Sequence, residues 1–479
     1  MLRENVSEGF RYRHVLALNP YFGHATTAMG IFPPTGLEYI AASMKDTVDK
    51  VTLMDLRYEE ACQDPETLNA FIRDEHVDLL CVTIGWTAQF DTVCDLVKRL
   101  PPEVCTVVGG HKATEEVELL FERCPNIDMV VRGEGEEIIR RVVRGDRLET
   151  ILGLSYRMGD KVVHNPNQEL PSLDTISFPD RSLRRQEYRI VQYGVRLSRH
   201  TFDTVLTTRG CPFNCTFCTF SLNPLGQKRT YAERSVESVI EELKTITADV
   251  VLFSDDNFFT NPKRTERLCD LIIENGIKKT FVVQARIDVA KHPRALEKAR
   301  QAGFRVFLIG IESPHDRILD QLQKGITQQQ IRESVAILRG YGFYLHGYFI
   351  YGNLGESREE MLYIARFARE IKLDSISFQK LRAEKFSPIK KTVEETPGYW
   401  YDRVGGSVYS DTFGRKEFRD IRNHIRADFY SVPQLIRIYW KARKTGLVNG
   451  YDLLNAVAHL PRLLAGLRAR NHGRKPIKD

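Results

Sequence analysis

Short apolar runs alternate with amphipathic stretches twice over along this chain, and that rhythm constrains the fold more than any other feature. In the first segment, His14–Asn19, Val51–Asp55, Asp78–Gly85, Val104–Gly109 and Asp128–Arg132 are rich in Val, Ile and Leu. Between them, Gly36–Lys45 and Phe90–Leu100 place apolar residues at helical spacing. Five strands separated by helices predict an α/β fold with a doubly wound parallel sheet covered on both faces. Ligands of such sheets lie at the carboxyl ends of the strands, where Gly109-Gly110-His111 falls.

A connector is expected over residues 146–200. A hairpin-like pair, Leu154–Arg157 and Lys161–His164, precedes LPSLDTISFPDRSL, whose two prolines read as linker. Alternation then resumes with candidate strands Thr204–Thr208, Val250–Ser254, Phe281–Ala285, Arg305–Gly310, Tyr344–Ile350 and Ser375–Phe378. Val236, Val239, Ile240, Leu243 and Ile246 make one apolar helical stripe between the first two. Six strand–helix units predict a partial or full barrel of the TIM type. Beyond Lys380 the chain reads as a helical extension. The expected division is 1–145, 146–200, 201–380 and 381–479, in keeping with a 479-residue chain that outgrows one core.

The net charge of +6 is unevenly placed. Ile436–Asp479 holds ten Lys/Arg and two Asp/Glu, a balance of +8, so the rest of the chain sums to −2. No run of apolar residues is long enough to predict a spanning helix. The N-terminal MLRENVSEGFRYRHVLALNP lacks the apolar core of a secretory signal. A cytoplasmic, reducing location is therefore expected, in which nine cysteines serve as thiols or ligands.

Cys211, Cys215 and Cys218 stand within eight residues, directly after the first strand of the second domain. Thiolates suit zinc and iron–sulfur clusters. Structural zinc wants four closed ligands, and no fourth is near: His200 lies eleven residues upstream, and no other cysteine lies within fifty. A [4Fe–4S] cube on three cysteines leaves one iron open, as a catalytic cluster requires. Cys62, Cys81, Cys94, Cys105 and Cys124 show no ligand spacing, and Cys81 and Cys105 read as core.

The segment TTRGCPFNCTFC resembles the cluster-binding loop of the radical S-adenosylmethionine (SAM) superfamily. The resemblance implies that the three cysteines hold the cluster, that SAM binds its fourth iron, and that Phe217 lies against the adenine. It implies reductive cleavage of SAM to a 5′-deoxyadenosyl radical that abstracts hydrogen from an unactivated carbon. Ser254, Asp255 and Asp256 match the position that holds the SAM amine, where a carboxylate suits an ammonium. Arg286 is the expected partner of the SAM carboxylate. Glu312 and Ser313 resemble the ribose-contacting segment, and Gly352 lies in a stretch resembling the one near adenine.

PPTGLEYIAASM, TAQFD, VVGGHKAT and VVRGEGEE resemble the cobalamin-binding domain that precedes many radical SAM cores. The overall likeness is to the branch with anaerobic Mg-protoporphyrin monomethyl ester cyclase and the hopanoid methylases. It implies a corrin near Thr87, Gln89, Gly109, Gly110, Gly133, Glu134 and Gly135. The Asp-x-His-x-x-Gly signature of a lower histidine ligand is missing, and His24 and His111 read as solvated loop residues.

The expected cofactors are thus a [4Fe–4S] cluster, SAM and cobalamin. The expected reaction is C-methylation of an apolar small molecule, fed by an external electron donor such as flavodoxin or ferredoxin. Radical cyclisation or carbon–carbon coupling is the alternative within enzymes, and a non-catalytic corrinoid- or metal-binding module is the alternative outside them. The basic tail reads first as a solvated helix and second as a peripheral contact with the inner membrane face. Nucleic acid is not an expected partner, since aromatic residues are sparse there beyond Tyr439 and Trp440.

Overall fold

The computed structural model describes residues 12–20, 31–85, 90–192, 195–220, 222, 225, 231–402 and 406–462. They fall into two compact units, the first mainly residues 33–187 with 222–232 and the second mainly residues 188–221 with 233 onward. The first unit holds β1 (His14–Asn19), α1 (Thr35–Met44), β2 (Lys50–Asp55), α2 (Pro65–Asp74), β3 (Leu79–Thr83), α3 (Phe90–Val97) and β4 (Cys105–Gly109). It continues with α4 (His111–Glu115), α5 (Val117–Arg123), β5 (Met129–Val131), α6 (Glu136–Arg144), β6 (Leu154–Met158) and β7 (Lys161–His164). The strands lie in the order β2-β1-β3-β4-β5-β6-β7.

The first five strands are parallel. Their continuous apolar sequence follows from burial on both faces: Leu16, Ala17 and Leu18 are all fully buried. The order reverses between β1 and β3, where sheets of this kind open a ligand crevice at their carboxyl edge. The hairpin expected in a connector instead extends this sheet as β6 and β7, antiparallel to β5 and to each other. Leu154 and Tyr156 draw it in, packing into the core with Ile138, Val142 and Ile151.

The second unit begins with β8 (Tyr188–Gln192) and β9 (Val195–Val205), an antiparallel pair. Two short strands, β10 (Thr208–Arg209) and β11 (Ala232–Glu233), come next in sequence. Then follow α7 (Val236–Thr245), β12 (Val250–Phe253), α8 (Pro262–Glu274), β13 (Thr280–Arg286), α9 (Pro293–Ala302) and β14 (Phe304–Glu312). The series ends with α10 (Asp316–Gln321), α11 (Gln328–Gly340), β15 (Tyr344–Tyr351), α12 (Arg358–Glu370) and β16 (Ser375–Lys380). Strand order β16-β15-β14-β13-β12-β9-β8 makes an open sheet, a partial barrel with six parallel strands.

Alternation sorts the two faces of this sheet. Phe281, Val283, Phe307, Ile309, Leu345 and Phe349 all enter one core under the helices. Within it the rings of Phe253, Phe258, Phe281 and Phe304 lie 4.7 to 5.4 Å apart between neighbouring centroids. The opposite face takes the intervening residues, among them Gln284, Leu308, His346, Tyr348 and Ser377. Capping boxes at Thr327 with Gln330 and Ser357 with Glu360 fix where α11 and α12 start.

The extension is not wholly helical, as its sequence suggested. After α13 (Pro388–Glu395) comes a separate antiparallel hairpin of two short strands, β17 (Tyr399–Tyr401) and β18 (Val408–Ser410). Tyr399-Trp400-Tyr401 favours strand over helix, since aromatic side chains suit a pleated, half-buried surface. Helices α14 (Arg415–Phe429), α15 (Val432–Lys444) and α16 (Gly450–Ala458) complete the described chain.

Candidate active site

The three thiols stand on a loop tied at both ends. Cys211 N donates to Phe220 O at 3.0 Å and Cys218 N to Cys215 O at 3.1 Å. Thr216 N donates to Leu322 O at 3.1 Å, anchoring the middle of the loop beyond α10. Gly210 enters at φ +84°, a conformation that glycine adopts without strain. Burial pushes the Cys218 thiol up to about 12, with smaller contributions from Cys215 and Cys211 beside it. Among the described residues no three His, Cys, Asp or Glu side chains converge as around a single ion. Three thiols that each bind a different iron of a cube need not converge so closely, and this donor set fits a [4Fe–4S] cluster.

Of the two neighbouring carboxylates only one faces the loop. Asp256 Oδ2 accepts from Gly210 N at 3.1 Å and its side chain is half-buried. Asp255 departs from the expected role as a SAM contact, being fully buried. Its oxygens accept from Thr207 N at 2.7 Å, Thr207 Oγ1 at 2.6 Å and Thr208 N at 2.8 Å. It thus pins the chain just before the cysteine loop. Ser254 is half-buried at the end of β12, its N donating to Val205 O at 2.8 Å.

Arg286 lies directly against the cysteine loop. Its guanidinium stacks 3.8 Å from the Phe213 ring centre, and Nη1 donates to Cys215 Sγ at 3.4 Å. Nη2 donates to Lys324 O at 2.6 Å, and Asn257 Oδ1 accepts from Arg286 N at 3.2 Å. These contacts make Arg286 a brace of the cysteine loop. Lys324 escaped sequence reasoning altogether. Its Nζ donates to Glu312 Oε1 at 2.8 Å, both side chains being at least nine-tenths buried. Glu312 holds φ +68°, and a Cβ on Gly310 would lie 2.6 Å from Glu312 Oε1. The one signal for Lys324 was its place before Gly325, which turns at φ +66°.

Ser313 does not present a free hydroxyl: it is fully buried, and its Oγ accepts from His315 N at 3.2 Å. Phe217 packs against the cluster of Ile318, Leu322 and Leu354, together with Ile350, so it meets the turn that follows β15. Gly352 opens that turn at φ +76°, where a Cβ would strike the Phe418 ring at 2.7 Å. Packing alone therefore requires glycine there. Asp256 and Phe217 supply a carboxylate and an aromatic face suited to an amino acid nucleoside such as SAM.

On the same face as Gln284, His346 stands edge-on to Tyr348 at 4.9 Å, its Nδ1 2.7 Å from Ser375 Oγ. Burial pushes its imidazole down to about 4. An unfolded histidine titrates near 6.5, so this stability is full above about pH 6.5 and is lost as pH falls towards 4. We expect about 3 kcal/mol to go over that window. His346→Gln should flatten the pH dependence of urea unfolding there.

In the first unit, Gly109, Gly110, Gly133, Glu134 and Gly135 do stand at the carboxyl end of the sheet. Thr87, Gln89 and His24 lie outside the described residues. Gly110 (φ +105°) passes so near β3 that a Cβ would be 2.8 Å from Ile84 O, and at Gly135 a Cβ would be 2.9 Å from Ile40 Cδ1. Those two glycines answer to protein packing. Gly109 meets only Val131 at 3.6 Å, and Gly133 N donates to Thr114 Oγ1 at 3.1 Å. Among the described histidines of this unit, His111 alone follows directly on one of the five parallel strands, and it is exposed. Gly109 and Gly133 leave the close backbone approach that a flat ligand such as a corrin would need.

Comparison with known proteins bears on both units. Residues 205–368 match the model of the radical SAM superfamily, and residues 24–143 match that of the B12 binding domain. The chain is 32% identical over 357 residues to an uncharacterized methyltransferase of Pyrococcus horikoshii, covering 72% of this chain and 75% of that protein. It is 24% identical to the anaerobic magnesium-protoporphyrin IX monomethyl ester cyclase of Cereibacter sphaeroides, covering 91% of this chain and 72% of the cyclase. Its fold is similar to the solved radical SAM methyltransferase TsrM of Kitasatospora setae with cobalamin and a [4Fe–4S] cluster bound. That likeness has a TM-score of 0.69 at 15% identity and covers 96% of this chain and 99% of the other.

The chain belongs to the radical SAM superfamily, in the branch that carries a B12-binding domain ahead of the radical SAM core. It is an enzyme of methyltransferase or cyclase type, and membership implies a [4Fe–4S] cluster, SAM and cobalamin as its cofactors.

Proposed function

We propose that the protein is a cobalamin-dependent radical SAM methyltransferase that transfers a methyl group to an unactivated carbon of a small molecule. The observation that carries this reading is the union of a three-thiol loop with a B12-binding domain in one chain. The most identical relative named above is designated a methyltransferase, which favours methyl transfer over cyclisation. Reductive cleavage of SAM and carriage of a methyl group are the chemistries that these cofactors would supply when bound.

The chain's own groups hold and orient. Cys211, Cys215 and Cys218 would bind the cluster, with Arg286 bracing Cys215 and Asp255 fixing the strand end before the loop. Asp256 would face the SAM ammonium, and Phe217 the adenine. The concave face of the barrel mixes apolar Val282 and Leu308 with Gln284, Tyr348 and Ser377. A substrate placed there would combine an apolar carbon frame with hydrogen-bonding groups, which narrows the apolar small molecule expected from the sequence.

The test uses anaerobically purified protein loaded with cobalamin, a reductant and SAM labelled in its methyl group. Label recovered in the extracted corrin, with 5′-deoxyadenosine released, is expected. Release of 5′-deoxyadenosine with an unlabelled corrin would favour radical cyclisation or coupling.

A further inference from the structure

Helix α15 is built inside out. Its inward side is polar: Gln434 Nε2 donates to Leu373 O at 3.2 Å and Asp374 O at 3.0 Å. On the same side, Arg437 Nη2 donates to Leu373 O and Lys441 Nζ to Gly342 O at 2.8 Å. Its outward side carries Val432, Leu435, Ile436 and Trp440, of which Val432 is 69% exposed and Trp440 54%. Spacings of three and four residues place these on one stripe. Helix α16 repeats the inversion. Asp452 is buried and accepts from Arg199 N at 3.2 Å, while Leu453, Leu454 and Val457 face outward, Leu454 at 69% exposure.

Sixteen large hydrophobic side chains are exposed among the described residues, and nine of them lie between Val432 and Leu460. Apolar area gathered in this way on a soluble surface marks a contact with something apolar. The charge around it is one-sided. Arg437, Lys441, Arg443, Lys444 and Arg462 accompany a single acidic residue, the buried Asp452. The remaining 17 residues add five Lys/Arg and one Asp.

We propose that α15 and α16 form a peripheral docking surface for an anionic lipid bilayer. Both helices lie in the headgroup boundary, and no helix among the described residues is long and apolar enough to cross a membrane. Leucine, isoleucine and valine side chains enter the acyl boundary, and Trp440 sits at the level of the headgroups. Arg443 and Lys444, both exposed in the last turn of α15, meet the lipid phosphates. An interface between two copies of this chain would place like charges face to face, which the one-sided charge disfavours. This docking is independent of which carbon the enzyme alkylates.

The test is co-sedimentation of the full-length, cluster-loaded protein with large vesicles of phosphatidylglycerol and phosphatidylcholine, or of phosphatidylcholine alone. Binding to the anionic vesicles is expected, with a blue shift of tryptophan emission and weakening in high salt. Trp440→Glu with Leu454→Glu should abolish sedimentation. Arg443→Glu with Lys444→Glu should weaken it about twenty-five-fold or more, since each cation near an anionic surface contributes about fivefold. Both double variants should release 5′-deoxyadenosine at the unaltered rate in the absence of vesicles, which shows that they fold. Failure of the parent protein to bind anionic vesicles overturns the proposal. So does equal binding to both vesicle types, or a parent dimer by light scattering that the Trp440→Glu, Leu454→Glu variant renders monomeric.

Discussion

Cys211→Ala, Cys215→Ala and Cys218→Ala are each expected to abolish the [4Fe–4S] cluster, whereas Cys269→Ala leaves iron content unchanged. A cube on three thiolates has one ligand for each of three corners, so loss of one exposes a second iron. The loop is tied by Cys211 N to Phe220 O and by Thr216 N to Leu322 O, so its remaining thiols are held in place and cannot shift to cover the lost corner. Cys269 provides the contrast: it is fully buried in the helix-side core of the second unit, among Leu268 and Ile272. Iron and sulfide analysis with electron paramagnetic resonance of the reduced protein reads the outcome. A single variant of the three that kept a full cluster and SAM cleavage would falsify the ligand assignment.

The second large effect is expected at Asp255, and it differs in kind from that at its neighbour. Asp255→Ala leaves Thr207 N, Thr208 N and Thr207 Oγ1 without their acceptor in a fully buried site. Each orphaned donor costs about 1–3 kcal/mol, so a loss of about 3 kcal/mol or more is expected for the second unit. Asp255→Asn should restore much of it, because its Oδ1 can still accept from Thr207 N and Thr208 N while its amide donates to the Thr207 hydroxyl. As the strand end drifts in Asp255→Ala, the cysteine loop that follows it should load less iron. Asp256→Ala should keep stability and iron near those of the parent and weaken SAM binding. Urea unfolding, iron content and SAM affinity separate the two, and the pattern would be refuted if Asp255→Ala lost SAM affinity alone.

That division between adjacent carboxylates was hidden in the sequence. Ser254-Asp255-Asp256 shows two equivalent acids, and only the end of β12 decides that one turns inward and the other towards Gly210. Arg286 was legible as a cation at a strand end but not as a brace, since its partners Cys215 and Lys324 lie 71 and 38 residues away. The three thiols were legible because their spacing alone forms the site. The parallel strands were legible for a similar reason: burial on both faces writes an unbroken apolar run, as in Val250–Phe253. Edge strands leave no such mark. β8 and the start of β9 mix Arg189, Arg196 and Arg199 with Val and Leu, as one-sided burial permits. The β6–β7 hairpin was visible, yet nothing local shows that Leu154 joins the core of the first unit.

The corner at Gly310, Glu312 and Lys324 has a consequence for how this chain can vary. A side chain at Gly310 collides with the carboxylate, and a Cβ there would also lie 3.0 Å from Lys324 Nζ. Removing either charge strands the other in a dry site, at a cost of about 3–5 kcal/mol. Replacing both by apolar residues of similar volume can be close to neutral. The three positions are therefore epistatic: each tolerates change only when the others have already changed. Drift through single substitutions is blocked at this corner, and descendants of this chain inherit the trio whole or exchange it in concert.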